Sequence, residues 1–167
     1  ILHVGPAGYG WLYAAAAVGA LVAAFILTFV RTINKQGPVL IIAVLIYGLA
    51  TVLFGFSTVF VAAFLALALT GAADTVSMVI RSTMRQLNTP DNLRGRMVSV
   101  NMMFFMGGPQ LGEMEAGLVA AWLGAPFSVI SGGVACIAVT LWVARRWPQL
   151  WHYSQQPIPP AATASAD

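Results

Sequence analysis

The chain has 167 residues, of which 59% are hydrophobic and only 8% are charged. A soluble globular domain is typically about 25% charged, so this composition excludes an ordinary soluble domain and indicates a membrane protein. The net charge is +3, but the basic residues form no stripe and no basic helix, which argues against a nucleic-acid-binding protein.

Five apolar segments are long enough to cross a membrane as helices, because a helical span needs about 20 apolar residues. The strands of a membrane barrel are about ten residues long and alternate apolar with polar residues, and these segments do neither. We therefore predict an all-α, polytopic membrane protein with about five transmembrane helices. The spans are expected at roughly 9–30, 39–56, 59–80, 97–122 and 126–144.

The first segment is rich in small residues and reads YAAAAVGALVAA over residues 13–24. Small residues let two helix backbones approach closely, so we expect this helix to pack tightly against another. The second and fifth segments contain no charged residue, and we expect them to be supports that face lipid.

The third segment contains an acid, Asp74, inside its apolar run. A charged acid at the bilayer centre costs about 2.5–3.5 kcal/mol, so such residues usually face a protein interior or a water-filled cavity. Asp74, Met78, Arg81 and Arg85 follow a spacing of four, three and four residues and share one helix face. Two interpretations stay open: a structural partner for a basic residue near the helix end, or an acid that carries protons.

The basic residues all fall on one side of a five-pass path. They lie between the first and second segments, between the third and fourth, and after the fifth, whereas the connections near 57–58 and 123–125 carry no charge. The positive-inside rule makes the basic side cytoplasmic, with the C-terminus inside. The candidate cytoplasmic-loop residues either fix the topology and touch lipid phosphates or serve function, and they are Arg31, Lys35, Arg85, Asp91, Arg94 and Arg96.

Two further acids, Glu113 and Glu115, lie in the fourth segment. They are two residues apart, so they project about 200° from each other around a helix and cannot share a face. If neither faces lipid, protein or water must surround this helix on two sides. One acid bonded to a neighbouring helix as a packing contact is the alternative interpretation.

The same segment carries small residues at every fourth position, which predicts a close contact with another helix. Pro109 should kink or loosen the helix in the middle of the membrane. A kinked helix that carries acids is a candidate moving part. The small residues are Gly108, Gly112, Ala116 and Ala120.

Residues 1–153 are expected to form one partial transmembrane bundle, and residues 154–167, SQQPIPPAATASAD, a disordered cytoplasmic tail. The chain starts with Ile1 and shows no signal-peptide pattern, which indicates a piece of a longer protein. Cys136 and the two histidines, His3 and His152, give no metal-binding spacing, and no catalytic motif appears, so neither an enzyme nor a cofactor is expected.

Four stretches resemble the C-terminal part of major facilitator superfamily transporters, over essentially residues 5–153. The similarity is closest to the bacterial exporter branch of transmembrane secretion effectors, with its enterobactin-exporter and macrolide-efflux members. The stretches are GPAGYGWLYAAAAVGAL, GAADTVSMVIRSTMRQLNTPDNLRGRMVSVN, GGPQLGEMEAGLVAAWLG and the basic end after the last span.

The resemblance implies helices 8 to 12 of a twelve-helix fold, with the remaining N-terminal helices absent from this chain. It places the helix of Asp74 along the central cavity, the acidic helix between the two halves, and the second and fifth segments at the periphery. The superfamily's signature loop is degenerate here: VRTINKQGPV keeps Lys35 and Gly37 but has Asn34 in place of the acid.

The function that follows is proton-coupled export of small molecules of drug, macrolide or siderophore type across the inner membrane, by alternating access. The candidates for the proton or substrate pathway are Asp74, Glu113, Glu115 and Arg81, and the expected partners are the lipid bilayer, protons, the substrate and the missing helices. The alternative is a non-transporting membrane scaffold or assembly subunit whose acids only hold helices together.

Overall fold

The computed structural model describes residues 5–30, 35–90 and 93–152, and this part of the chain contains helices and no strand. The predicted residues Arg31 and Asp91 and the predicted tail, 154–167, lie outside it. A short 3-10 helix, Pro148–His152, follows the last of five α-helices. The α-helices are α1 (Pro6–Phe29), α2 (Gln36–Phe56), α3 (Phe60–Asn88), α4 (Arg94–Leu123) and α5 (Ala125–Arg146).

Four of the helices, α1, α2, α3 and α5, are long and apolar enough to cross a membrane, which confirms a polytopic all-α protein. Helix α4 has 30 residues and is therefore about 45 Å long, enough for a span. Its glutamates and its glycines around Pro109 make it less apolar than the other four. The prediction that α4 crosses the membrane therefore depends on the path of the chain, which must return to the other side between α3 and α5.

Helix α3 extends beyond the apolar segment that we expected to end at residue 80. It continues to Asn88, so Arg85 lies in its last turn, and the following helix already begins at Arg94. The basic cluster is therefore carried by helix ends more than by a loop. Asp74 lies 14 residues from each end of α3, about 21 Å along the axis, and not about six residues from its end as the segment boundary suggested.

The helices pack in the order α1, α3, α2, α5, α4, which differs from their order in the chain. Helix α1 packs against α3, and α2 lies between α3 and α5. Helix α4 packs against α5, and the 3-10 helix contacts α2 and α5. The small residues of α1 thus find their partner within this chain.

Glycines bring the packed helices into backbone contact. A methyl group at Gly19 would overlap the carbonyl oxygen of Ala68, and one at Gly71 would overlap that of Ala16, so α1 and α3 touch along their backbones. At the contact of α2 with α5, a methyl group at Gly133 would lie 2.7 Å from a methyl carbon of Val52. These pairs are close small-residue contacts of the kind that holds helices together in lipid.

Candidate functional site

One face of α3 carries the polar side chains that the spacing predicted. The Asp74 carboxylate and the Arg81 guanidinium lie 3.6 Å apart, with 54% and 52% of their side chains exposed. Met78, between them on the same face, is also exposed, whereas Ser77 and Ile80 are buried. A half-exposed ion pair at the centre of an apolar helix needs water or polar groups from another part of the protein.

The two arginines are held along the helix by their own backbone. Arg81 Nε donates to the carbonyl oxygen of Ser77 at 3.3 Å, and Arg85 Nε donates to that of Arg81 at 3.2 Å. The guanidinium groups are thereby kept over the same face as Asp74.

A side-chain hydrogen bond ties this face to α4. Arg85 Nη1 donates to the amide oxygen of Asn101. Next to it lies a cavity of about 240 Å³ between the end of α3 and the start of α4. Its polar lining consists of Ser82, Arg85, Gln86, Thr89 and Asn101.

Beyond this tie, the described parts of α3 and α4 do not pack along their length. Asp74 lies eleven residues from Arg85, toward the middle of α3, and Gly112 lies eleven residues after Asn101 on α4. Asp74 and Gly112 are therefore each about 16 Å along their own helix from this hydrogen bond. A gap therefore separates the polar face of α3 from the middle of α4.

Only one of the two glutamates is on the side of α4 that carries Asn101. Asn101, Gly108, Gly112 and Glu115 are spaced by seven, four and three residues, which places them on one helix face. Glu113 is rotated about 120° from Asn101, away from that face. Both side chains are exposed within this chain.

A tyrosine of α2 adds to the polar surroundings of Asp74. Tyr47 lies within electrostatic range of the Asp74 carboxylate and of the Cys136 thiol on α5. The Cys136 thiol in turn points at the carbonyl oxygen of Val44, 3.9 Å away. Tyr47 therefore lies between the surroundings of the acid and the contact of α2 with α5.

The predicted small-residue stripe of α4 contacts α5 at one end. Ser128 Oγ of α5 donates to the carbonyl oxygen of Ala116 at 2.9 Å. Methyl groups at Gly108 and Gly112 would meet no atom within 4 Å. Contact with a helix outside this chain at these two glycines stays a prediction. The helix runs unbroken through Pro109.

The remaining predicted residues lie apart from the acid. Lys35 precedes the first residue of α2, and Arg96 lies in the first turn of α4, where both side chains are exposed. Sequence reasoning missed Asn101 and Tyr47. Asn101 carried a detectable signal, because it is an amide just inside an apolar run, but Tyr47 resembles any other aromatic residue of a span.

Comparisons with known proteins agree with this architecture. The chain is 27% identical over 163 residues to the enterobactin exporter of Escherichia coli strain K12 and to that of Shigella dysenteriae serotype 1. The match covers 98% of this chain but only 39% of each relative, so the chain spans about two fifths of their length. No solved structure matches it. Residues 1–159 match the transmembrane secretion effector family, and the chain therefore belongs to that family of the major facilitator superfamily.

Proposed function

We propose that this chain is the C-terminal part of a proton-coupled exporter of small organic molecules in the inner membrane, with its C-terminus in the cytoplasm. The observation that carries the proposal is the half-exposed pair of Asp74 and Arg81 at the centre of a membrane-spanning helix. The family and the name of its relatives support an exporter. That name, enterobactin exporter, also supports a small organic substrate.

The pair supplies a simple coupling device. An arginine within about 4–6 Å favours the charged form of a carboxylate, and its departure favours the protonated form. A movement of α4 that drew Arg85 and Arg81 toward Asn101 would therefore release Asp74 to take up a proton. Reversal of that movement would expel the proton, and in alternating access the two states open to opposite sides.

Glu115 is the second acid of this proposal. It lies on the face of α4 that carries Asn101, and it is three residues beyond Gly112, which is as far from Asn101 along α4 as Asp74 is from Arg85 along α3. Glu115 and Asp74 therefore border the same gap, whereas Glu113 does not. The proposal accordingly assigns proton or substrate contact to Glu115 and a packing role to Glu113.

The test uses the full-length protein with Asp74→Asn. Asparagine keeps the shape and the hydrogen-bonding ability of the side chain and removes its proton. We expect normal insertion and retained downhill exchange in proteoliposomes. The rate of efflux driven by a pH gradient should fall at least tenfold below that of the wild type. Glu115→Gln should behave in the same way, and Glu113→Gln, the matched control, should keep gradient-driven efflux.

Wild-type gradient-driven efflux by Asp74→Asn would remove the proton role from this residue. An equal loss of efflux and exchange at unchanged protein level would instead assign Asp74 to substrate contact. Absence of any gradient-driven flux in the unmodified full-length protein would favour the non-transporting scaffold.

A further inference from the structure

The packing of α2 on α5 brings three basic residues to one end of the molecule. Val44 lies against Cys136, Gly48 against Gly133, and Gly55 against Ile130. Residue numbers thus rise along α2 while they fall along α5, so the two helices are antiparallel. Lys35 lies nine residues before Val44, and Arg145 lies nine residues after Cys136. Lys35 is therefore level with Arg145 and Arg146.

No acid in the described residues balances these charges. The described acids are Asp74 in the middle of α3, which pairs with Arg81, and two glutamates in the second half of α4. Lys35, Arg145 and Arg146 are all exposed. The position of the arginines in the last turn of α5 suits the helix dipole, but this effect leaves their outward charge free to bind an anion.

Two indole rings lie beside the end of α5 that carries the arginines. The rings of Trp142 and Trp147 meet edge to face with centroids 5.8 Å apart, and the Arg146 guanidinium lies 5.7 Å from the centre of the Trp147 ring. The 3-10 helix that follows contacts α2, and it carries a third exposed tryptophan, Trp151. The 3-10 helix thus lies against both α2 and α5.

This arrangement combines the two chemistries of a phospholipid at the membrane surface. Indole rings favour the headgroup level, with their apolar body toward the acyl chains and their N–H toward water. Exposed apolar residues of α5, including Val139 and Trp142, continue from this level toward the membrane centre. Guanidinium groups bind phosphate through paired N–H donors.

We propose that Lys35, Arg145 and Arg146, with Trp147, form a binding site for the headgroup of an anionic phospholipid. The phosphate contacts the basic residues, and the acyl chains lie along the outer side of α5. The site is independent of the transport proposal, because none of its residues belongs to the gap beside Asp74. Its occupation would anchor α2 and α5 at the basic surface of the membrane.

The experiment is native mass spectrometry of the full-length protein, released from detergent micelles with an equimolar mixture of phosphatidylglycerol and phosphatidylcholine. We expect the wild type to retain phosphatidylglycerol preferentially. The double variant Arg145→Gln/Arg146→Gln should lose one bound phosphatidylglycerol, with its affinity reduced roughly fivefold for each charge removed. Trp147→Leu should weaken the same site while it preserves the net charge.

Arg96→Gln is the matched control, since it removes an exposed arginine from the other basic helix end. An equal loss of phosphatidylglycerol in Arg96→Gln and in the Arg145/Arg146 double variant would mean a general attraction to the basic surface and would overturn the proposed site. Undiminished binding in the double variant would also overturn it. Displacement of the lipid by millimolar glycerol phosphate would show a site for a soluble anion instead of a phospholipid.

Discussion

The ion pair between Asp74 and Arg81 makes an acid tolerable at the centre of a membrane helix. The spacing of seven residues already predicted that the two side chains share a face, because helical periodicity is a local property of the sequence. The bond of Asn101 to Arg85 and the position of Tyr47 within electrostatic range of Asp74 depend on tertiary packing and could not be predicted in the same way. The local half of the candidate site was therefore predictable, and the half formed between helices was not.

Among the close contacts of single residues, the one at Gly133 has a matched control in the neighbouring residue. A methyl group there would lie 2.7 Å from a carbon of Val52 and 2.9 Å from the carbonyl oxygen of Gly48, whereas one at the adjacent Gly132 would meet no atom within 4 Å. We expect Gly133→Ala to destabilise the protein by about 1–3 kcal/mol, since overpacking forces the backbones of α2 and α5 apart.

Gly132→Ala is the control, because it makes the same chemical change one residue away in the same helix. The measurement is the thermal midpoint of the purified full-length protein in detergent. Equal midpoints for the two variants would contradict the close approach of α2 and α5.

The end of α3 shows why element boundaries were harder to predict than element types. Hydropathy located the third segment correctly but ended it at residue 80, where the first arginine follows, although the helix continues to Asn88. The Thr83 and Thr89 hydroxyls donate to carbonyl oxygens four residues earlier, and Arg81 and Arg85 donate in the same way, so the polar side chains of this last part bond to the backbone of their own helix. A fall in hydropathy marks the edge of the lipid and not the end of the helix.

The contact between α4 and α5 includes one interhelical hydrogen bond that can be tested in isolation. Ser128 Oγ donates to the carbonyl oxygen of Ala116 on α4, whereas Ser131 Oγ donates to Ser128 within α5. We expect Ser128→Ala to lower the free energy of unfolding by about 0.6 kcal/mol, the average for such bonds in membrane proteins.

Ser131→Ala should have a smaller effect, because the bond that it removes joins two residues of one helix. Denaturation of the full-length protein in mixed micelles measures both variants. The assigned contact is wrong if Ser131→Ala costs as much as Ser128→Ala.

At the scale of the whole molecule, the packing order explains why so many apolar side chains are exposed. Helices α1 and α4 lie at the two ends of the series, and residues 102–106 of α4, all methionine or phenylalanine, are exposed. Composition and hydropathy predicted the number of helices, but the pairing of α1 with α3 is a long-range contact that periodicity does not encode. In a membrane, lipid covers part of this apolar surface. The chain spans 39% of the length of its relatives, and the proposed partners of the remaining apolar surface are helices of the missing part.

The central claim is that the Asp74 face of α3 borders a water-filled path that opens to alternate sides of the membrane. Met78 and Val79 provide a matched pair for testing it, because they are adjacent and 43% and 40% exposed within this chain. Met78 lies on the face of Asp74, whereas Val79 is rotated about 100° from Met78, away from that face. The claim predicts water beside Met78 and lipid beside Val79.

The measurement is the rate at which a membrane-impermeant thiol reagent modifies Met78→Cys and Val79→Cys in the full-length protein. The background carries Cys136→Ala and has any other cysteine replaced as well. The account predicts that Met78→Cys reacts from both sides of the membrane, with opposite changes in the two rates when a pH gradient is imposed. Val79→Cys should stay unmodified from either side. Modification of Met78→Cys no faster than Val79→Cys, from both sides and at every gradient, would contradict the account.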